Sequence, residues 1–312
     1  MKTRPACIFF ITLFFLLSAS AYLSAQVTYA FAERDTVLHL DVYQPKVPNG
    51  YTVIHIFGGG FIGGYRQNKW DADYCRQLAD SGYTAVAIDY RLGLRGIKNV
   101  GFGTISAIER AILMAVEDCA DAVAFLVNNA DKTGVNPQKI ILEGSSAGAI
   151  TALMTDYARC NSLSCAAALP ADWSPAAVVA YSGAVFSSKG KVSWDNAAPA
   201  PTLLFHGTAD RIVNYKQLQL GRTGLYGANA LVKRFEKYGY PYCIYRYTSL
   251  GHEVSVGGPV TIDELNMFVK QYITDHKPLH TDITQTNDSI PPSEFSKHTL
   301  RDLYKPQKRK DL

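Results

Sequence analysis

From Thr52 onward the chain repeats one alternation: a short apolar run, a turn, then a longer segment with apolar residues every three or four positions. The short runs are Thr52–Phe57, Thr84–Tyr90, Lys139–Glu143, Val178–Ser182, Thr202–Phe205 and Tyr242–Tyr247. Runs of this length, apolar at nearly every position, predict strands buried on both faces. Helical spacing covers Asp71–Ser81, Ile105–Asn129, Ala147–Asp156, Leu225–Tyr238 and Ile262–Ile273, and Gly82 marks the end of the first. Strands and helices in this order predict an α/β, doubly wound protein: parallel strands joined by right-handed crossovers, with helices on both faces of one sheet. Residues 26–43 instead alternate apolar and polar about a turn at Glu33–Asp35, the pattern of an antiparallel hairpin. The periodic part ends near Asp275. Residues 276–312 are polar, carry Pro278, Pro291, Pro292 and Pro306, and are expected to be a basic C-terminal tail or linker.

The beginning of the chain has a different pattern. Lys2 and Arg4 precede an apolar run, Ile8–Leu17, broken only by Thr12, and small residues follow at Ser18–Ala21 and Ser24–Ala25. That order predicts a secretory signal peptide over residues 1–25, with a run too short to span a bilayer of ~30 Å. Residues 26–275 are then expected to form one domain, secreted or periplasmic, with no stable membrane insertion after signal cleavage.

Composition adds limits. Apolar residues are 47% and charged residues 19%, enough to bury a core and to exclude disorder throughout. The net charge of +4 resides at the ends: Lys2 and Arg4 at the start and six basic side chains among residues 297–312. The body is near neutral, so no nucleic-acid partner is expected. After signal removal the cysteines are Cys75, Cys119, Cys160, Cys165 and Cys243, with no C-x-x-C pair or neighbouring histidine cluster. No metal site is expected. Cys160 and Cys165 are spaced for a local disulfide; the alternative is that all five are small buried apolar residues.

Residues 144–148 read Gly-Ser-Ser-Ala-Gly, a G-x-S-x-G between a predicted strand and a predicted helix. A tight strand-to-helix turn strains its central residue and leaves room only for glycine on either side. Ser146 then stands at a helix N-terminus, where free N–H groups favour developing negative charge. Ser145 lacks the flanking glycines and is rejected as nucleophile. A serine hydroxyl needs a base, and the base an orienting group. His252 in Leu250-Gly-His-Glu253 and Asp210 in His206-Gly-Thr-Ala-Asp210 each follow a predicted strand, where sites in open parallel sheets lie. Ser146, Asp210 and His252 are therefore the catalytic candidates. His206 is read as structural, and His39 and His55 as core or edge residues. Phe57-Gly-Gly-Gly60 follows a buried strand, and the N–H groups of Gly59, Gly60 and Ala147 are the candidate oxyanion donors. Phe61 is expected on the substrate-pocket wall, because it follows those glycines directly. The irregular stretches Arg95–Gly103 and Thr155–Pro175 are expected to wall the pocket too.

With these motifs the chain resembles the α/β-hydrolase superfamily, and within it the hormone-sensitive-lipase-like and feruloyl-esterase-like secreted esterases. The resemblance is carried by Leu40–Pro45, Gly58–Gly60, Ala87–Arg91, Gly144–Gly148, His206–Asp210 and Gly251-His252, in the family's order. It implies an eight-stranded, mostly parallel sheet and an ester-cleaving serine triad working through an acyl-enzyme, without metal or organic cofactor. The family's usual His-Gly-Gly-Gly is Phe57-Gly-Gly-Gly60 here. The implied substrates are small or polysaccharide-linked esters. Two alternatives stay open: a secreted serine peptidase or acyltransferase on the same fold, and a non-catalytic binding protein on a hydrolase scaffold.

Overall fold

The computed structural model describes residues 26–97, 102–286, 290, 293 and 297–304; the expected signal peptide lies outside them. The strands are β1 (Gln26–Glu33), β2 (Val37–Tyr43), β3 (Thr52–Ile56), β4 (Thr84–Ile88), β5 (Ile140–Ser145), β6 (Ala177–Tyr181), β7 (Ala184–Ser187), β8 (Thr202–Gly207), β9 (Gln217–Leu220), β10 (Thr223–Gly227), β11 (Tyr242–Tyr247) and β12 (His280–Gln285). The α-helices are α1 (Lys69–Asp80), α2 (Ile105–Asn128), α3 (Ala130–Thr133), α4 (Ala147–Cys160), α5 (Ala228–Tyr238), α6 (Ile262–Phe268) and α7 (Leu300–Leu303).

Nine strands form the main sheet, in the order β1-β2-β4-β3-β5-β6-β8-β11-β12. The hairpin β1–β2 joins β4 antiparallel, and every pairing from β4 to β12 is parallel. Each inner strand alternates its side chains between two cores. Ile54, Ile56, Leu142 and Val178 face α2, α4 and α5, whereas Val53, Ile141, Val179 and Leu203 face α1 and α6. Both layers need apolar partners, which is why these strands read as unbroken apolar runs. A small antiparallel sheet, β7-β10-β9, lies apart from the main one.

Several expectations are corrected. The resemblance implied eight strands in the main sheet; the ninth, β12, comes from the segment expected to be a tail. It pairs with β11, and Arg246 on β11 binds Asp282 on β12 through two hydrogen bonds of 2.6 and 2.8 Å. As an edge strand it buries few side chains, so its sequence carries no apolar run. The helix expected from Leu225 begins at Ala228, because Leu225 and Tyr226 pair with Phe186 and Val185 of β7. The final helix passes into a π-helical turn over Val269–Thr274. Cys160 and Cys165 form no disulfide, and the described cysteines are all free. Cys160 instead lies at the end of α4, its thiol donating to the Ala198 carbonyl (3.3 Å).

One buried polar group crosses the sheet's second core. His55 on β3 stands opposite Glu143 on β5 in the strand register. Its Nδ1 lies 2.6 Å from a Glu143 oxygen and its Nε2 2.6 Å from Asp71 in the first turn of α1. Burial alone would lower the His55 pKa, but the two carboxylates outweigh it and push it up to about 10. The imidazolium thus ties β3, β5 and α1 together. A folded-state pKa raised above the unfolded value near 6.5 gives stability that is complete below that value and lost as pH rises toward about 10. His55→Gln, which leaves two buried carboxylates without their cation, is expected to cost about 3–5 kcal/mol near neutral pH. In urea unfolding the gap between wild type and variant should narrow as pH is raised through that window.

Candidate active site

The turn from β5 into α4 places Ser146 with φ +53°, a left-handed value rare for serine. What holds it there is the closeness of its neighbours. A side chain at Gly148 would begin 1.9 Å from the Ile56 carbonyl oxygen, and one at Gly144 would begin 2.3 Å from the Gly148 backbone. The Ser146 N–H donates to the Tyr181 carbonyl of β6 (2.9 Å), which fixes the turn against the next strand.

Ser146 Oγ lies 2.8 Å from His252 Nε2, and His252 Nδ1 lies 2.8 Å from Asp210 Oδ2. The other Asp210 oxygen accepts the Ile212 and Val213 N–H groups at 2.9 and 3.1 Å. All three side chains are buried. Burial alone would raise the Asp210 pKa, but hydrogen bonding from His206 and the charge of His252 outweigh it and hold the carboxyl well below the usual range. Asp210 therefore stays ionised opposite Nδ1 of His252, and Nε2 of the same ring faces the Ser146 hydroxyl. Ser145 is engaged elsewhere: its hydroxyl donates to the Ser255 carbonyl (2.7 Å), linking the turn to the loop that carries His252.

The glycine loop completes the arrangement. Gly59 and Gly60 have φ of +127° and +62°, and a side chain at Gly59 would begin 2.1 Å from the Gly63 carbonyl oxygen. Among the described residues, no backbone carbonyl takes the N–H of Gly59, Gly60 or Ala147. Phe57, where the resemblance implied histidine, is buried and stacks on Tyr90 at 4.4 Å, while the Tyr90 hydroxyl donates to the Phe57 carbonyl (3.0 Å). Packing and one backbone bond thus hold the start of the loop.

A cavity of about 590 Å³ opens over Ser146 and His252, bounded by Gly58–Gly60, Ile62, Trp70, Val256 and Ile290. Phe61 is not on that wall. It turns into the core with φ +59°, edge-on to Tyr90, and its neighbour Ile62 faces the cavity instead. The stretch Thr155–Pro175 does not border the cavity either, because α4 continues to Cys160 and carries it away. In Arg95–Gly103, residues 98–101 lie outside the described residues. His206, read as structural from the sequence, donates from Nε2 to the Val213 carbonyl (2.9 Å) and lies 3.4 Å from Asp210.

This sheet, with its serine at a strand-to-helix turn, has the α/β-hydrolase fold. Residues 40–185 match the family model described as BD-FAE, a span that includes the glycine loop and Ser146 but not Asp210 or His252. A probable isoprenylcysteine alpha-carbonyl methylesterase of Oryza sativa subsp. japonica is 36% identical over 118 residues, covering 37% of this chain and 24% of that protein. The isoprenylcysteine alpha-carbonyl methylesterase of Arabidopsis thaliana is 31% identical over 139 residues, covering 44% and 29%. This chain spans about a quarter of the length of these curated relatives. Among solved structures, propionate-bound Thermogutta terrifontis esterase 2 aligns with a TM-score of 0.57 and 19% identity, over 83% of this chain and 97% of that one.

The elbow geometry yields a direct expectation. Gly148→Ala has to displace the Ile56 carbonyl, and with it the strand that leads into the glycine loop. Thermal melting should show a markedly destabilised or unfolded variant; a melting temperature equal to wild type would contradict the packing described.

Proposed function

We propose that this protein is a serine carboxylic-ester hydrolase, exported from the cell that makes it, acting on small or polysaccharide-linked esters. The observation that carries the reading is the unbroken chain Asp210–His252–Ser146 ending in a cavity beside the glycine loop. The ester chemistry is supported by relatives named as methylesterases and by a fold shared with esterases. Export rests on the signal-like pattern of residues 1–25, and the polysaccharide class rests on export.

In this mechanism Ser146 Oγ attacks the ester carbonyl carbon while His252 Nε2 takes its proton. The carbonyl oxygen becomes an oxyanion facing the N–H groups of Gly59, Gly60 and Ala147, and the N-terminus of α4 adds favourable potential. The intermediate collapses as His252 returns the proton to the leaving alkoxide, giving an acyl-Ser146. Water, deprotonated by His252, then attacks the acyl carbon and frees the acid and Ser146. Asp210 keeps its charge throughout, steadying the imidazolium that forms twice in each cycle.

Turnover of p-nitrophenyl acetate by the mature protein tests this. Ser146→Ala should lower kcat by at least about 10⁴-fold in a folded protein. Because the Asp210 carboxyl is held well below the usual range, it stays ionised across the neutral and mildly acidic pH of the assay. A folded Ser146→Ala protein with wild-type turnover would refute the mechanism. The mass of the secreted chain reports whether residues 1–25 are removed.

A further inference from the structure

Several described residues beyond β12 lie against the active site. Because β12 runs parallel to β11, it ends at the same sheet edge as the loops carrying Asp210 and His252, and there the Thr248 N–H donates to the Gln285 carbonyl (3.0 Å). Ile290 is only 3% exposed, and its Cδ1 lies 3.0 Å from where a side chain at Gly257 would begin. Together with Ser293 it borders the cavity that holds Ser146 and His252. Further on, the Leu300 N–H donates to the carbonyl of Arg211, the residue after Asp210 (3.2 Å). Thr299 and Asp302 form a capping box on α7, and the next residue after α7, Tyr304, is buried with its hydroxyl donating to the Gly60 carbonyl (2.9 Å).

The described residues of this segment therefore touch all three catalytic loops: the one after Asp210, the one after His252, and the glycine loop. A solvated tail would do none of this, since fixing backbone and side chains costs about 1–2 kcal/mol per residue and has to be offset by contacts. The one large apolar residue among those placed at the cavity is Ile290, and a β-branched side chain packed against a glycine backbone has little freedom to withdraw. Of this segment's described residues at the cavity, Ile290 is thus the one whose side chain shapes the wall, beside Ile62, Trp70 and Val256.

We propose that Ile290 is a specificity-determining residue that limits the size of ester the cavity accepts, with Tyr304 a positioning residue that anchors the glycine loop. The proposal rests on the reading of Ser146 as an esterase nucleophile. Ile290→Ala would deepen the cavity, and Ile290→Trp would fill it.

The test uses the full mature chain and two ester series: p-nitrophenyl acetate against p-nitrophenyl octanoate, and phenyl acetate against 2-naphthyl acetate. In at least one series Ile290→Ala should raise the bulky-to-small ratio of kcat/KM by about tenfold, and Ile290→Trp should lower it. Tyr304→Phe, which deletes only the hydroxyl, should lower kcat about fivefold with KM held. Ratios unchanged in both series, in folded variants of a wild-type protein that does cleave these esters, would overturn the role of Ile290 while leaving the esterase reading standing. Unchanged kcat in Tyr304→Phe would overturn the anchoring role. A wild-type protein that cleaves no ester would overturn the esterase reading, and this proposal with it.

Discussion

The close approach of Gly148 to the end of β3 governs the geometry of the whole site. With no side chain at 148, the first turn of α4 lies directly against the Ile56 and Phe57 carbonyls. Ile56 ends β3 and Phe57 begins the glycine loop, so a single backbone contact sets where Ser146 stands relative to the candidate oxyanion donors. Gly144 makes the same contact possible from the other side, because the turn into α4 folds back across it. Two residues without side chains thus let a strained serine exist, and the packed sheet on either side keeps it from relaxing.

Beneath that contact β3 is also tied to β5, the strand that leads into α4. His55 on β3 and Glu143 on β5 are paired in register, and Asp71 closes the group from α1. Burying a cation between two anions is costly unless the geometry is close, and here both contacts are 2.6 Å. The gain is one of position: His55 is two residues before Phe57, and Glu143 three before Ser146. The glycine loop and the nucleophile turn are therefore held in register by a charge network on the opposite core from α4, independent of the backbone packing above it.

Much of this was legible in the sequence, for a physical reason. Strands covered on both faces must be apolar at every position, so the inner strands declared themselves, and G-x-S-x-G has meaning only at a strand-to-helix turn. The positions named from spacing, Ser146, Asp210 and His252, are brought within hydrogen-bond distance of one another. What stayed hidden depends on contacts between residues far apart in the chain. His55 and Glu143 are 88 residues apart, and only strand register makes them neighbours. β12 escaped notice because an edge strand with alternating exposed positions looks like a polar linker. Phe61 was expected on the pocket wall because it follows the glycines, but a left-handed turn at that residue sends its ring inward and leaves Ile62 facing the cavity.

The account stands on Ser146 being an activated nucleophile in the intact protein. Incubating the folded protein with a fluorophosphonate and mapping the adduct by peptide mass spectrometry tests this without any choice of ester. The account predicts one phosphonyl group per chain, on Ser146. A folded chain that takes up no label, or that takes it up on Ser145 or another serine, would contradict it.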